Sequence, residues 1–301
     1  MDVMDVMEVM DVMDLLVDPF APAFMQRALV AGLLVAVTTA VIGTWVVLRG
    51  LSFMGDALAH GVLPGIAAAF LLGFSTVLGA LVGAGLMVAG INVVHRRSRL
   101  SDDVGIGLLF VGMLALGVVI VSRAQSFTRS LTAFLFGDVL GVQAGDLLPQ
   151  ALAGAAVVAV SLALHRPFLA MAFNEEKAEL LGMRPRVAHI AMLALVAVSI
   201  VASFRAVGTL LVFGMLVAPP ATASLVTRRV PSMMLTAVGF GVLAVLSGLI
   251  VSFHADTAAA ATIAGLSVLA FFVVLLVRDL SGRLSTSEVG DVQANRGPVG
   301  G

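Results

Sequence analysis

Asp56 and His60 are the two residues of this sequence whose types and spacing most clearly indicate chemistry. They lie in the stretch MGDALAHGVLPG, residues 54–65, within a long apolar tract. Residues four apart share one face of a helix, with Cβ atoms about 5–6 Å apart, so a carboxylate and an imidazole at this spacing can bind one divalent ion together. An acid at the centre of a membrane-spanning helix costs about 2.5–3.5 kcal/mol on insertion scales, so an acid retained there is a candidate for function.

The residues around this pair leave room for an ion. Residues 55, 57, 59 and 61 are all Gly or Ala. At a rise of about 1.5 Å per residue, His60 lies about 13 Å from a helix start at Leu51, close to the middle of a bilayer. Pro64 has no backbone N–H to bond the His60 carbonyl, so this oxygen is a further candidate ligand.

The residues alone leave three interpretations of the pair open. The first is a metal site, the second is a proton relay, and the third is a hydrogen-bonded Asp–His pair that ties two helices together. Two ligands do not close a metal site. A transient site on a permeation pathway is therefore the natural form of the first interpretation, because a transported ion must be released as well as bound.

The composition around the pair is that of a membrane protein. The chain has 301 residues, of which 60% are hydrophobic and 12% charged, whereas soluble domains have about 25% charged residues. Apolar tracts of about 20 residues recur along the chain and predict an all-α, polytopic membrane protein with about nine transmembrane helices. The predicted spans are residues 24–48, 51–72, 76–94, 104–121, 147–164, 187–204, 207–226, 233–252 and 257–277. The seventh contains Pro219 and Pro220, so a broken or re-entrant element is an alternative there.

The arginines fall mainly in alternate loops, which predicts a multi-pass protein of the cell membrane with the N-terminus outside and the C-terminus in the cytoplasm. Residues 24–278 form the predicted transmembrane domain. Residues 1–23 form an acidic, low-complexity tail, and residues 279–301 a flexible cytoplasmic tail. The first 14 residues, MDVMDVMEVMDVMD, repeat every three residues. This period fits neither a helix nor a strand, and it indicates a disordered tail or an over-extended start.

The stretch FNEEKAELLGMRPR, residues 173–186, interrupts the apolar pattern. Asn174 is a good N-cap, Glu175 and Glu176 favour the first turn of a helix, and Gly182 is placed to end it. These signals predict a short amphipathic helix in a cytoplasmic loop. Such a helix either lies on the lipid surface or docks in a groove on a partner. Docking is favoured because Gly182 ends the helix sharply and charged residues lie on both sides of it.

The sequence contains no motif for catalysis. Lys177 is the only lysine, and no phosphate-binding loop surrounds it. Cysteine is absent, which excludes disulfides and thiolate metal sites. We therefore expect a protein that is not an enzyme, and any ATP used for transport would be hydrolysed by another polypeptide. The net charge of −1 gives no indication of a nucleic-acid partner, and none is expected.

Four separate stretches resemble the membrane subunit of the metal-ion ABC importers, the zinc, manganese and iron uptake permeases. Residues 48–73, LRGLSFMGDALAHGVLPGIAAAFLLG, resemble the second-helix signature of that family. The segment FNEEKAELLG resembles its coupling segment, with Asn174 where Asp is usual. Residues 207–229, VGTLLVFGMLVAPPATASLVTRR, resemble a late signature, with Pro-Pro where Pro-Ala is usual. Residues 131–142, LTAFLFGDVLGV, fit the outer loop. The resemblance extends over about residues 24 to 280.

The resemblance implies a fold similar to the vitamin B12-type ABC importer permeases. It also implies a second permease copy, cytoplasmic ATP-binding subunits, an extracytoplasmic metal-binding protein and a setting in membrane lipid. By motif it assigns Asp56 and His60 to the passing metal ion. It also implies that five residues couple the permease to the ATPase: Asn174, Glu176, Ala178, Leu181 and Gly182.

The predicted function is ATP-driven import of a divalent transition-metal ion by alternating access, without a permanently bound cofactor. Zinc or manganese is the expected cargo, and iron is a further option. The alternative is a proton-coupled secondary metal transporter in which Asp56 and His60 relay protons. A second alternative is a structural membrane protein that has no transport pathway.

Overall fold

The computed structural model describes residues 17–97, 101–122, 139–173, 179–180 and 184–294, and for Asp102 and residues 205–206 and 282–294 it describes the backbone only. In these ranges the chain forms helices and no strand. The α-helices are α1 Ala23–Leu48, α2 Ser52–Gly61, α3 Leu63–Leu72, α4 Thr76–Arg97, α5 Asp102–Val121, α6 Ala144–Ala163, α7 His165–Phe173, α8 Pro185–Val226, α9 Val230–Ala255 and α10 Ala259–Ala294, and short 3-10 helices occur at Asp18–Phe20 and Val139–Gly141.

Nine segments of the described chain are long and apolar enough to cross a membrane. Helices α2 and α3 together form one of them, Ser52–Leu72, and α8 contains two, Pro185–Phe204 and Val207–Val226. The all-α class and the nine spans predicted from the sequence are therefore confirmed. The observed ends of the other spans differ from the predicted ends by only a few residues.

The two halves of α8 run in opposite directions and meet at Gly208. This residue has φ 76° and ψ 165°, torsions that glycine adopts readily and other residues do not. His189 contacts Arg49 at the end of α1, and Leu216 lies beside Gly43, which is only six residues earlier on α1. A straight helix would separate residues 189 and 216 by about 40 Å. The chain therefore reverses at Gly208, and α8 supplies two antiparallel spans.

Pro219 and Pro220 do not interrupt the second half of α8. The helix continues to Val226, and Gly208 is the only residue of α8 with non-helical torsions. The alternative of a broken or re-entrant element is therefore not the conformation adopted. Pro220 cannot donate to the carbonyl of Leu216, and Gly43 brings the backbone of α1 against this same carbonyl oxygen. Close packing by α1 thus fills the place that the missing hydrogen bond leaves.

Helix α1 packs on α6, α8 and α9 near the middle of the bundle. Two hydrogen bonds join it to the parallel helix α6. Near one end Gln150 Nε2 donates to the carbonyl of Ala31 at 3.1 Å, and near the other Trp45 Nε1 donates to Ser161 Oγ at 3.0 Å. The Trp45 end also carries a group of arginines, and we call it the arginine-rich end: Arg49, Arg96, Arg97, Arg184, Arg186, Arg228 and Arg229.

Two helical stretches lie where the sequence predicts none. Helix α7 has no predicted counterpart, and Pro167 lies in its first turn, where a missing N–H removes no helical hydrogen bond. Helix α10 extends to Ala294, so residues 279–294 of the predicted flexible tail are helical.

Gly43→Ala is expected to destabilise the fold by about 1–3 kcal/mol, because a Cβ at this position overlaps the Leu216 carbonyl oxygen. The matched control is Gly85→Ala on α4, where a Cβ meets nothing within 4 Å and alanine is the better helix former. Thermal unfolding of the full chain in detergent compares the two. Equal melting temperatures would contradict the close contact between α1 and α8.

Candidate functional site

Asp56 and His60 lie on α2, which begins at the arginine-rich end and stops one residue after His60. Val62 links α2 to α3, and Pro64 lies in the first turn of α3. The sequence predicts one span over residues 51–72 without this interruption, although Pro64 removes a helical donor there. It also makes the His60 carbonyl a candidate ligand, but this oxygen accepts a hydrogen bond from the Val62 N–H. The carbonyl is therefore already engaged in the backbone.

The two side chains face each other at a distance that suits a shared ion. His60 Nε2 lies 3.9 Å from Asp56 Oδ1, which is too long for a hydrogen bond. Two ligands that each lie about 2.1 Å from one ion can be up to about 4.2 Å apart. The pair can thus coordinate one cation from these positions with little movement, whereas a direct hydrogen bond requires the side chains to approach.

Phe110 of α5 fixes the orientation of the His60 ring. The two rings stack with centroids 5.5 Å apart and planes 24° apart. Phe53, one turn before Asp56 on α2, meets the edge of the same phenylalanine at 5.5 Å. On the other ring nitrogen, His60 Nδ1 is buried and has no hydrogen-bond partner among the described residues. A buried polar atom without a partner is unfavourable, so this ring nitrogen is suited to a water molecule or another ligand.

The opposite side of α2 is held tightly by its neighbours. A Cβ at Gly55 would collide with Leu216 of α8, and one at Gly61 would collide with Met87 of α4. The face that carries Asp56 and His60 is more open: their side chains are 27% and 21% exposed. Small residues on one face therefore press α2 into the bundle and leave the carboxylate and imidazole accessible on the other.

The chemistry of the pair fits a first-row divalent ion. Carboxylate oxygen and imidazole nitrogen are ligands of manganese, iron and zinc. Within the ranges that the structure describes, no group of three or more His, Cys, Asp or Glu side chains could hold a metal. One chain therefore offers two side-chain ligands at this place, and the remaining coordination positions are left for water or for other molecules.

A second polar cluster, at the arginine-rich end, has no signal in the sequence. The rings of His95 and His189 stack with centroids 5.0 Å apart and planes 21° apart. Arg49 Nη1 lies 3.3 Å from His189 Nδ1. These residues come from α4, α8 and the end of α1. No spacing along the chain could have indicated that they meet.

The five predicted coupling residues, Asn174, Glu176, Ala178, Leu181 and Gly182, lie outside the described residues. Within residues 173–186, Phe173, Glu179 and Leu180 are the residues described before Arg184, and all three side chains are exposed, Leu180 by 87%. The predicted short helix and its docking role therefore stay predictions.

Comparison with known proteins relates the chain to membrane transport. The model of the ABC 3 transport family matches residues 21–278. The chelated iron transport system membrane protein YfeD of Yersinia pestis is 36% identical over 87% of this chain and 88% of its own length. The manganese transport system membrane protein MntC of Listeria innocua is 33% identical over 87% of this chain and 93% of its own.

A solved structure shows the same arrangement of helices. It is that of PsaBC from Streptococcus pneumoniae in complex with Fab, in which the matching chain has a TM-score of 0.77 and 30% sequence identity. The match covers 87% of this chain and 95% of that one. The likeness thus includes nearly the whole membrane-spanning bundle described above.

Phe110→Ala is expected to increase the rate at which diethyl pyrocarbonate acylates His60, because the substitution removes the ring that covers one face of the imidazole. Peptide mass spectrometry measures the rate for each histidine, and His254 in the same sample serves as the internal reference. The control is Phe272→Ala on α10, where the ring is 58% exposed. An unchanged rate at His60 in the Phe110 variant would contradict the stacked geometry.

Proposed function

We propose that this chain, which belongs to the ABC 3 transport family, is the membrane permease subunit of an ATP-driven importer of divalent first-row transition-metal ions. The proposal is supported by the nine apolar spans and by relatives named as iron and manganese transport membrane proteins. The single observation that carries it at the level of residues is the Asp56–His60 pair on a helix that crosses the membrane.

The geometry of the pair favours a passing ion over a resident one. A permanent structural metal site usually has four protein ligands, whereas α2 supplies two. A site that conducts must bind an ion firmly enough to admit it and weakly enough to release it. A two-ligand site completed by water or by another subunit meets both requirements.

The cargo is a manganese, iron or zinc dication. An oxygen and nitrogen ligand pair accepts all three, and intrinsic affinity at such a site follows the Irving–Williams order. The names of the relatives point to manganese and iron. We propose that the choice among these ions is made mainly by an extracytoplasmic metal-binding protein that delivers the ion, and only in part by Asp56 and His60.

A second copy of the permease is proposed to cover the open face of α2. A partly exposed carboxylate on a membrane-spanning helix faces either protein or an aqueous path, because contact with lipid is unfavourable. Helix α5 lies beside this face. Only 17% of its apolar membrane-spanning stretch is buried within the chain. Two copies that meet near α2 and α5 would enclose the pathway and could bring two Asp–His pairs together.

Coupling to ATP is proposed to run through residues 173–186. A cytoplasmic ATP-binding subunit docks on this segment, which precedes the first half of α8, and α8 packs directly on α2. Movement of the segment would then shift α8 against α2 and expose the Asp56–His60 site alternately to the two sides. In this arrangement the arginine-rich end and the C-terminus face the cytoplasm, as the distribution of arginines predicts.

Asp56→Asn and His60→Gln are each expected to reduce metal uptake by roughly tenfold or more, since each removes one of two protein ligands while conserving shape. Uptake of manganese, iron and zinc is measured in cells whose own importers have been deleted, together with the amount of each variant in the membrane. Asp103→Asn, at the exposed start of α5, is the control and should transport normally. Full uptake in both site variants at equal membrane abundance would remove the site assignment.

The energy source is tested separately. Uptake into right-side-out vesicles that enclose ATP is expected to require that ATP and an ATP-binding subunit that co-purifies with the chain. The proton-coupled alternative instead predicts uptake that is driven by a proton gradient and continues without ATP or that subunit. This outcome would overturn the ATP-driven proposal even if Asp56 and His60 proved essential.

A further inference from the structure

A cavity of about 500 Å³ opens at the arginine-rich end, between the end of α4 and the start of α8. Helix α4 contributes Asn92, His95 and Arg96 to its wall, and α8 contributes Arg186 and His189. Arg49 reaches the same place, because its Nη1 lies 3.3 Å from His189 Nδ1. Neither Asp56 nor His60 lines this cavity, but Glu179, Pro185 and Arg186 of its wall belong to residues 173–186, the segment proposed above for coupling.

The charge around this cavity is positive. Arg96, Arg186 and Arg49 each carry a permanent positive charge, and Glu179 is the single acidic residue in the described wall. Even when the charge of Glu179 is subtracted, two positive charges remain. The wall therefore repels a free cation and attracts an anion.

The contact with Arg49 makes His189 a hydrogen-bond donor through its other ring nitrogen. An arginine can only donate hydrogen bonds, so His189 Nδ1 must be the acceptor in its contact with Arg49. The proton of a neutral His189 ring then resides on Nε2, which makes that nitrogen a donor. A nitrogen that carries a proton cannot bind a metal ion. In this tautomer His189 Nε2 can donate to an anion and offers no lone pair to a metal ion.

The start of α8 adds to the positive potential. Pro185 occupies the first turn of this helix and lines the cavity, and no acidic residue lies in that turn. The amino-terminal end of a helix carries about half a positive charge and favours anions. The helix end, the guanidinium groups and the donors of Asn92 and His189 thus favour the same class of ligand.

We infer that this cavity binds a phosphate group. Arginine forks match the oxygen atoms of phosphate, and basic pockets between helices at a membrane surface are suited to the head groups of anionic phospholipids. The phosphate belongs either to such a lipid or to a free phosphate in solution. The inference does not depend on metal transport. If it holds, the occupant lies beside the segment 173–186, on which the ATP-binding subunit is proposed to dock.

Native mass spectrometry of the full chain in detergent tests the inference. The probes are cardiolipin, phosphatidylglycerol, zwitterionic phosphatidylcholine and, in a separate arm, inorganic phosphate. The test variant is the double substitution Arg96→Gln and Arg186→Gln. The matched control is Arg97→Gln with Arg229→Gln, which removes two exposed arginines from the same end of the bundle but outside the cavity wall. Melting temperatures show whether each variant is folded.

The original chain is expected to bind a phosphate-bearing probe, and the test variant to bind it about tenfold more weakly for each arginine lost. Preferential binding of cardiolipin and phosphatidylglycerol identifies a lipid head group as the source, and binding of inorganic phosphate alone identifies a solute. An equal loss in the control variant would show general attraction to the arginine-rich end and overturn the inference. Absence of any binding by the folded original chain would overturn it as well.

Discussion

The exclusion of charge from the hydrocarbon region is the constraint on which this structure depends. Nine spans fill most of the chain, and α2 accommodates both a carboxylate and an imidazole within one of them. In hydrocarbon each of these groups needs a compensating partner. The observed distance between Asp56 and His60 does not supply one, because 3.9 Å is beyond hydrogen-bond range. The compensation therefore comes from outside the pair: from water, from a ligand, from a second polypeptide or from residues beyond the described ranges.

Close packing of backbones allows the bundle to hold this pair at its surface. At Gly43, α1 packs directly on the Leu216 carbonyl, which cannot receive a hydrogen bond from Pro220. At Gly55, α2 packs directly on the side chain of Leu216. The second half of α8 is therefore in contact with both α1 and α2 around one residue. A displacement of α8 would move α2 directly, since no loop or solvent layer separates them. This arrangement gives the coupling proposed between residues 173–186 and the metal pair a physical path through packed side chains.

The sequence predicts the spans well and places Asp56 and His60 on one helix face, but it does not predict the contacts between distant elements. Hydropathy indicates each span because every membrane-crossing helix needs about 20 apolar residues, and the spacing of Asp56 and His60 shows that they share a helix face. The predicted spans 187–204 and 207–226 already imply a reversal between them, but the sequence does not predict that Gly208 makes it, with φ 76° and ψ 165°. The stacking of His60 on Phe110 and of His95 on His189 joins residues from different helices. No periodicity within one segment carries that information.

The same side chain has opposite ligand preferences at the two polar clusters, and the neighbouring charge decides which. At α2 an imidazole lies beside a carboxylate, so the local charge is negative and one ring nitrogen faces an oxygen ligand. At the arginine-rich end an imidazole accepts from a guanidinium, which leaves its other nitrogen as a donor within a positive wall. A cation satisfies the first arrangement and is repelled by the second. Under the proposed import of metal ions, the positive residues of this wall would repel an ion that leaves α2 in that direction and so favour its release.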